Sequence, residues 1–296
     1  MSRIIVRICG GIGNQLFAYS AARRLSLVNG AELVIDSVSG FSRDFNYQRE
    51  FKLYHFNINI NKATSADRFE PFSRIRRYIK RFINNRRFFN ERNYIQPDGI
   101  DFDPRLLEFK PHGTVYLEGY WQSEKYFKDI EDIIRDDLRI IPPANLENIS
   151  LAKKINNSVA IAVHVRFFNS LDDPTYNNNA SIDYYSRAIK KIESLVSNAH
   201  YFIFSDRPDL VRDWLDINSN QVTYIAHNKS DENAYADLWL MTQCKHFIIA
   251  NSTFSWWGAW LSDNKDKVVI APGFEVREGV SYWGFEGLIP ENWIKY

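Results

Sequence analysis

Short apolar runs recur along the chain, most of them bounded by turn-forming residues and followed by longer stretches of helical period. RIIVRI, AELVID, SVAIAVHV, YFIFS, VTYIA, HFIIA and KVVIAP read as strands, and their nearly continuous apolar character is that of strands covered on both faces. Between them, apolar positions at helical spacing predict helices from Asn14 to Val28, Ile182 to Ser197, Arg207 to Leu215 and Glu232 to Gln243. Alternation of this kind defines the α/β class with parallel sheets. The two prolines and small polar residues of RIIPPANLENIS interrupt the pattern, which places a boundary between residues 1–150 and 151–296.

A chain of 296 residues, 45% hydrophobic, can bury two cores of nucleotide-binding size. Its net charge of +1 gives no global field for nucleic acid and no acidic excess of the disordered kind. The start, MSRIIVRICGGIGNQ, has too short an apolar run for a secretory signal, and nothing approaches a membrane span. A cytoplasmic location is the expectation. Cys9 and Cys244 both fall in apolar segments and are expected to be buried free thiols.

Candidate chemistry collects where predicted strands end. HFIIA runs directly into Asn251, Ser252, Thr253 and Ser255, and the carboxyl edge of a parallel sheet is where such folds bind ligands. If FSWWGAWL opens a helix, its first-turn hydroxyls and free amides suit a phosphate; the plainer alternative is a helix cap followed by core tryptophans. Trp256, Trp257 and Trp260 are read as packing. In VAIAVHVRFF the strand delivers His164 and Arg166, two residues apart and so on one face, to the same kind of edge. There an arginine can grip a phosphate with two parallel hydrogen bonds. In CGGIGNQLFAYSAARRL, Gly10, Gly11 and Gly13 allow close backbone approach. That turn is near a dinucleotide fingerprint, with Asp36 as its acid, but Leu16 stands at the third glycine position. DFD at Asp101 to Asp103 is read as a loop and helix cap rather than a metal pair. In SRIRRYIKRFINNRRFFNERNY, Ile75, Tyr78, Ile79, Phe82 and Ile83 share one helical face and Arg74, Arg76, Arg77, Lys80 and Arg81 the other. The expected arrangement packs the apolar stripe on the core; contact of residues 74–92 with an anionic membrane is the alternative.

Taken together, GGIGNQLFAYSAARRL, VYLEGYWQSEKYF, HVR, SIDYYSRAIKKI, FSD and DLWLMTQCKHFIIANSTFSWWGAWL resemble the bacterial α-1,2-fucosyltransferases of glycosyltransferase family 11, in order and spacing across nearly the whole chain. The resemblance implies a GT-B-like fold, with two Rossmann-like halves facing each other across a cleft. It implies an acceptor-side unit over 1–150 and a GDP-sugar unit over 151–296. It implies inverting, metal-independent transfer of L-fucose from GDP-β-L-fucose to a sugar hydroxyl, in particular the 2-OH of galactose in a surface polysaccharide or O-antigen repeat. GDP-fucose is then donor substrate and no cofactor is needed; the acceptor is a glycan or lipid-linked oligosaccharide. The roles it implies are Arg166 on the β-phosphate, His164 and Asp237 at guanine, and Ser252 and Thr253, beside Asn251, at phosphate. Asp206 and the turn residues Gly11, Gly13 and Asn14 complete the donor set. The acceptor's proton needs a base, for which Asp172 and Asp173 are the candidates beside a solvated-loop reading. Phe167, Phe168 and Asn169 replace the family's usual Arg-Gly-Asp run, removing a cation and a carboxylate, and Arg207 replaces a commoner aspartate.

Two rival classes stay open. An NAD-dependent enzyme would use the glycine turn and Asp36, and a non-catalytic carbohydrate-binding protein would use the tryptophans.

Overall fold

The computed structural model describes all residues except 43, 46, 168–178, 213 and 278–281. The chain divides into two compact units, Met1–Arg139 with Glu286–Leu288, and Ile140–Phe285 with Ile289–Tyr296. The described helices and strands form α/β units of Rossmann type, and every ladder in the two sheets is parallel.

In the first unit, β1 (Arg3–Arg7) leads through a glycine turn into α1 (Ile12–Val28) and β2 (Glu32–Asp36). Then come α2 (Ser73–Asn84), β3 (Tyr94–Ile95), α3 (Arg105–Glu108), β4 (Thr114–Leu117) and α4 (Glu131–Asp137). The sheet order is β2-β1-β4-β3. Ile4, Ile5 and Val6 are all buried, as a central strand covered on both faces requires. Gly10 turns the chain at φ +74°, where a Cβ would meet Asn14 Nδ2 and Tyr120 Oη at 3.1 Å. Gln15, buried in α1, locks that turn: Nε2 donates to the carbonyls of Gly10 (2.9 Å) and Glu50 (2.8 Å), and Oε1 accepts from Lys52 N (2.9 Å).

In the second unit, α5 (Leu146–Asn156), β5 (Val159–Val165), α6 (Ile182–Leu195), β6 (Ala199–Ser205), α7 (Pro208–Val211) and β7 (Val222–Ile225) are followed by α8 (Ala234–Thr242), β8 (His246–Ile248), α9 (Thr253–Leu261), β9 (Val269–Ala271) and β10 (Ile294–Lys295). The order β10-β9-β8-β5-β6-β7 puts β5 between β8 and β6. Ile161, Val163 and Val165 form one core with Tyr185, Ile189 and Ile192 of α6, so the period of two sends Ala160, Ala162 and His164 to the opposite face. The helix expected from Arg207 to Leu215 ends at Val211. Beyond it the amides of Trp214 and Leu215 bond back to the Val211 carbonyl, which turns Trp214 onto Phe167.

Behind the sheet, Trp256, Trp257 and Trp260 are buried and interlock at centroid distances of 5.0, 5.3 and 6.1 Å. They are packing residues, as their spacing suggested. Gly258 lets α9 close on α8: a Cβ there would lie 2.2 Å from Met241 Sδ, and Met241 is fully buried. Gly258→Ala therefore overpacks this contact and is expected to cost about 1–3 kcal/mol of stability. Denaturant unfolding checks it; a midpoint equal to or above the parent's would refute the close approach.

Candidate functional site

The carboxyl edge of the second sheet gathers the polar residues that the sequence placed at strand ends. His164 is the penultimate residue of β5, with 6% of its surface exposed. Its carbonyl accepts from Tyr185 Oη at 2.9 Å, and its ring packs on Phe254 of α9 at 5.5 Å. Burial, reinforced by the Arg166 charge, depresses its pKa to about 3, so the imidazole is neutral at physiological pH. Its Nδ1 is buried without a hydrogen-bond partner among the described residues. A polar atom in that condition costs stability unless a ligand or water completes it.

Arg166 stands just past β5, its Nη1 3.2 Å from Oδ2 of Asp206, which follows β6. Asp206 Oδ1 accepts from Phe167 N at 3.1 Å. The carboxylate thus fixes both the guanidinium and the backbone that carries it. Burial raises the Asp206 pKa, and the Arg166 charge opposes the rise without cancelling it. Phe167 itself is buried edge-on against Trp214 at 4.8 Å, so an aromatic core contact fills the position where the family pattern carries a second cation. Phe168, Asn169 and the candidate bases Asp172 and Asp173 lie outside the described residues.

Next along the edge, Ser252 caps α9, its Oγ accepting from Phe254 N at 3.4 Å. Ser255 is buried and donates to the Ser252 carbonyl at 3.3 Å. Ser252 and Thr253 are half-buried, whereas Asn251 is fully buried and accepts from Ala180 N at 3.2 Å. The hydroxyl run therefore divides its labour: Asn251 and Ser255 hold the turn, while Ser252 and Thr253 stand at the helix start, where amides and dipole favour an anion.

A second polar cluster surrounds Asp237 in the first turn of α8. Its Oδ1 accepts from Asn228 Nδ2 at 2.8 Å. Asn228 and Asn148 exchange amide hydrogen bonds at 2.8 and 3.0 Å, and His227 Nε2 lies 2.9 Å from Asn148 Oδ1. Burial pushes the Asp237 pKa up to about 7, against the lowering effect of Asn228. Asn148, His227 and Asn228 were missed from the sequence. The residue pair His227–Asn228 follows β7 almost at once, so the strand-end rule that found His164 would have found it too.

In the first unit, Gly11 is the N-cap of α1, Gly13 is buried within its first turn, and Asn14 Oδ1 accepts from Gln122 Nε2 at 2.7 Å. Asp36, the acid of the dinucleotide reading, is completely buried. Its oxygens accept from Val38 N, Ser39 N and the hydroxyls of Ser39 and Tyr116, an arrangement that turns the carboxylate inward and away from a ribose. Asp103 pairs with Arg105 and caps its amide at 3.1 Å, while Asp101 accepts from Glu286 N at 3.0 Å; both act as the loop and cap residues expected of them. Cys244 is buried as expected, but Cys9 is only half-buried, because it leaves β1 where the glycine turn begins.

An open parallel sheet bearing a paired arginine and a helix N-terminus at its carboxyl edge suits a nucleotide phosphate. The chain belongs to glycosyltransferase family 11, whose sequence model matches residues 5–278. Among curated relatives it is similar to an alpha-1,2-colitosyltransferase of Escherichia coli, 27% identical over 100% of this chain and 99% of that one. It is likewise similar to the O-antigen biosynthesis glycosyltransferase WbnK of Escherichia coli, 29% identical over 90% and 92% of the two chains. Among solved structures it resembles the alpha-1,6-fucosyltransferase NodZ from Bradyrhizobium soaked with GDP-fucose, with a TM-score of 0.50 and 16% identity over 88% of this chain and 93% of that one. That likeness is one of fold, the GT-B class.

Proposed function

We infer that the protein transfers L-fucose from GDP-β-L-fucose, with inversion and without a metal, to a sugar hydroxyl, the 2-OH of galactose in an O-antigen or other surface polysaccharide. The observation that carries the reading is the row of groups along one sheet edge: the orphaned His164 nitrogen, the Arg166–Asp206 pair, the start of α9 and the carboxyl of Asp237. A pyrophosphate placed there meets a planar cation and helix amides, and guanine's N1 and N2 donors meet Asp237. The names of the relatives support the polymer and an α-1,2 linkage, and the GDP-fucose soak of NodZ supports the donor. Gly11, Gly13 and Asn14 enter as donor ligands, and Asp172 and Asp173 as the acids that accept the acceptor's proton, on the family pattern.

As the bond from the anomeric carbon to the β-phosphate oxygen breaks, negative charge grows on the phosphate, and Arg166 with the α9 amides meets it in fixed orientation. The acceptor oxygen forms the new bond from the opposite face as its proton passes to the base. A donor carrying colitose is the second reading, favoured by the colitosyltransferase relative that spans this whole chain. Mass spectrometry of a β-galactoside incubated with GDP-fucose should show one added fucose, and turnover should persist in excess chelator. Absence of transfer sinks the donor assignment; loss in chelator with recovery on adding manganese or magnesium sinks the metal-free mechanism.

A further inference from the structure

The basic amphipathic helix α2 sits on the protein with its polar side inward. Its inward residues are Arg77, 7% exposed, and Asn84, whose Oδ1 accepts from Asn93 N at 2.8 Å and Tyr94 N at 3.2 Å. Beside them Arg81 Nε lies 3.7 Å from Glu118 Oε2. The apolar stripe expected on the core is outside instead: Ile75, Ile79, Phe82 and Ile83 are exposed, and Tyr78 reaches 64%. Phe72, 72% exposed, precedes the helix with φ 66°, a left-handed conformation that a bulky residue adopts only when held there. Phe88, just beyond the helix, is 81% exposed. Glu118, just past β4, accepts from Tyr94 and pairs with Arg7 at 2.8 Å, and of the helix's cations it faces Arg81.

A contiguous apolar face of this size does not stay in water without a purpose. Under it lies a groove of about 440 Å³ lined by Phe69, Ile79, Ile83, Arg76, Lys80 and Arg87. Between Ser73 and Arg92 the exposed cations are Arg74, Arg76, Arg86 and Arg87, with Lys80 half-buried beside them, against one acid, Glu91. Isoleucine and aromatic side chains ringed by arginines are complementary to acyl chains beneath a layer of phosphates, with the arginine stems lying along the boundary. The low density of acid argues against an ordinary mixed-charge protein partner.

We propose that α2 and the turn before it dock on a bilayer surface rich in anionic phospholipid, with Phe72, Ile75, Tyr78 and Phe82 entering the acyl boundary and Arg74, Arg76 and Arg87 on the headgroup phosphates. The proposal rests on the first unit alone and stands whether or not the donor is GDP-fucose. None of the described helices is long and apolar enough to cross a membrane, so the contact is with one leaflet.

Co-sedimentation of the full chain with vesicles tests it. The parent should pellet with mixed phosphatidylcholine and phosphatidylglycerol vesicles and bind pure phosphatidylcholine at least about tenfold more weakly, with salt closing the gap. The variant F72S/I75S/Y78S/F82S, altered only at exposed positions, should lose about tenfold or more on the anionic vesicles while its thermal unfolding matches the parent's. R74S/R76S/R87S should bind both vesicle types alike. A parent that stays in the supernatant with anionic vesicles overturns the proposal, as does undiminished binding by the fourfold serine variant. A dimer seen by light scattering that the same variant dissolves would overturn it in favour of self-association.

Discussion

Arg166→Lys is expected to lower kcat for GDP-fucose transfer by on the order of a hundredfold, about 3 kcal/mol, while donor affinity changes far less. Lysine keeps the positive charge, so a role confined to attracting the nucleotide would survive the exchange. What it lacks is the fork that can pair with Asp206 on one edge, as Arg166 does at 3.2 Å, and present a second edge to phosphate. Because the charge on the leaving phosphate grows toward the transition state, loss of that second edge appears mainly in kcat. Arg207→Lys is the control. Arg207 stands at the start of α7 with a half-exposed side chain near Asp209, and its exchange should leave kcat within a few-fold. Steady-state kinetics on variants shown to be folded by circular dichroism decides it: an Arg166→Lys enzyme within a few-fold of the parent removes Arg166 from the chemistry.

Asp237→Ala should weaken GDP by about a hundredfold or more, since two hydrogen bonds from guanine to a charged acceptor are lost at about 1.5–3 kcal/mol each. UDP, which cannot make that pair, should bind no worse than before. The raised pKa gives the same site a pH signature. On this assignment guanine donates to the carboxylate and GDP selects the ionised form; with a pKa of about 7 in the free protein, binding should release close to one proton per GDP near pH 6 and close to none near pH 8. Below pH 7 affinity should fall by about tenfold per unit. In the absence of ligand the sign is opposite for stability. The folded chain holds this proton more tightly than the unfolded one, whose carboxyl titrates near 3.9, so stability is lost as pH rises from about 4 toward 7. Calorimetry in buffers of different ionisation enthalpy reads the proton count, and an equal GDP affinity before and after Asp237→Ala would end the assignment.

The residues of this site were legible to unequal degrees, and the reasons are physical. β5 is buried on both faces and long enough for its apolar run to be unmistakable, so His164 and Arg166 could be placed at its end from the sequence. The same holds for β8 and the capped start of α9. β3 and β10 consist of two residues each, too short for any period to register, and both are edge strands that exist because a neighbour's ladder extends to them. The Asn148–Asn228 pair joins residues eighty positions apart, and no local pattern carries such a contact. Gln15 lies within the glycine-turn motif, yet its three backbone bonds to Gly10, Glu50 and Lys52 appear only when the loop folds over it. In α2 the spacing gave both faces correctly and their orientation wrongly: periodicity says which side chains share a face, and the partner decides which face turns inward. There the inward side carries Arg77 and Asn84, with Arg81 facing Glu118 just past β4.

The tryptophans behind α9 bear on chemistry without touching it. Trp256 is wedged among Trp257, Trp260 and Trp293, and Gly258 seats the helix hard against Met241, so tilting or sliding the helix would break that packing. Water around a leaving phosphate must rearrange to follow the growing charge, whereas amides mounted on so stiff a base already point where they are needed. On the proposed reading, the solvent for the reaction is in effect cast in indole.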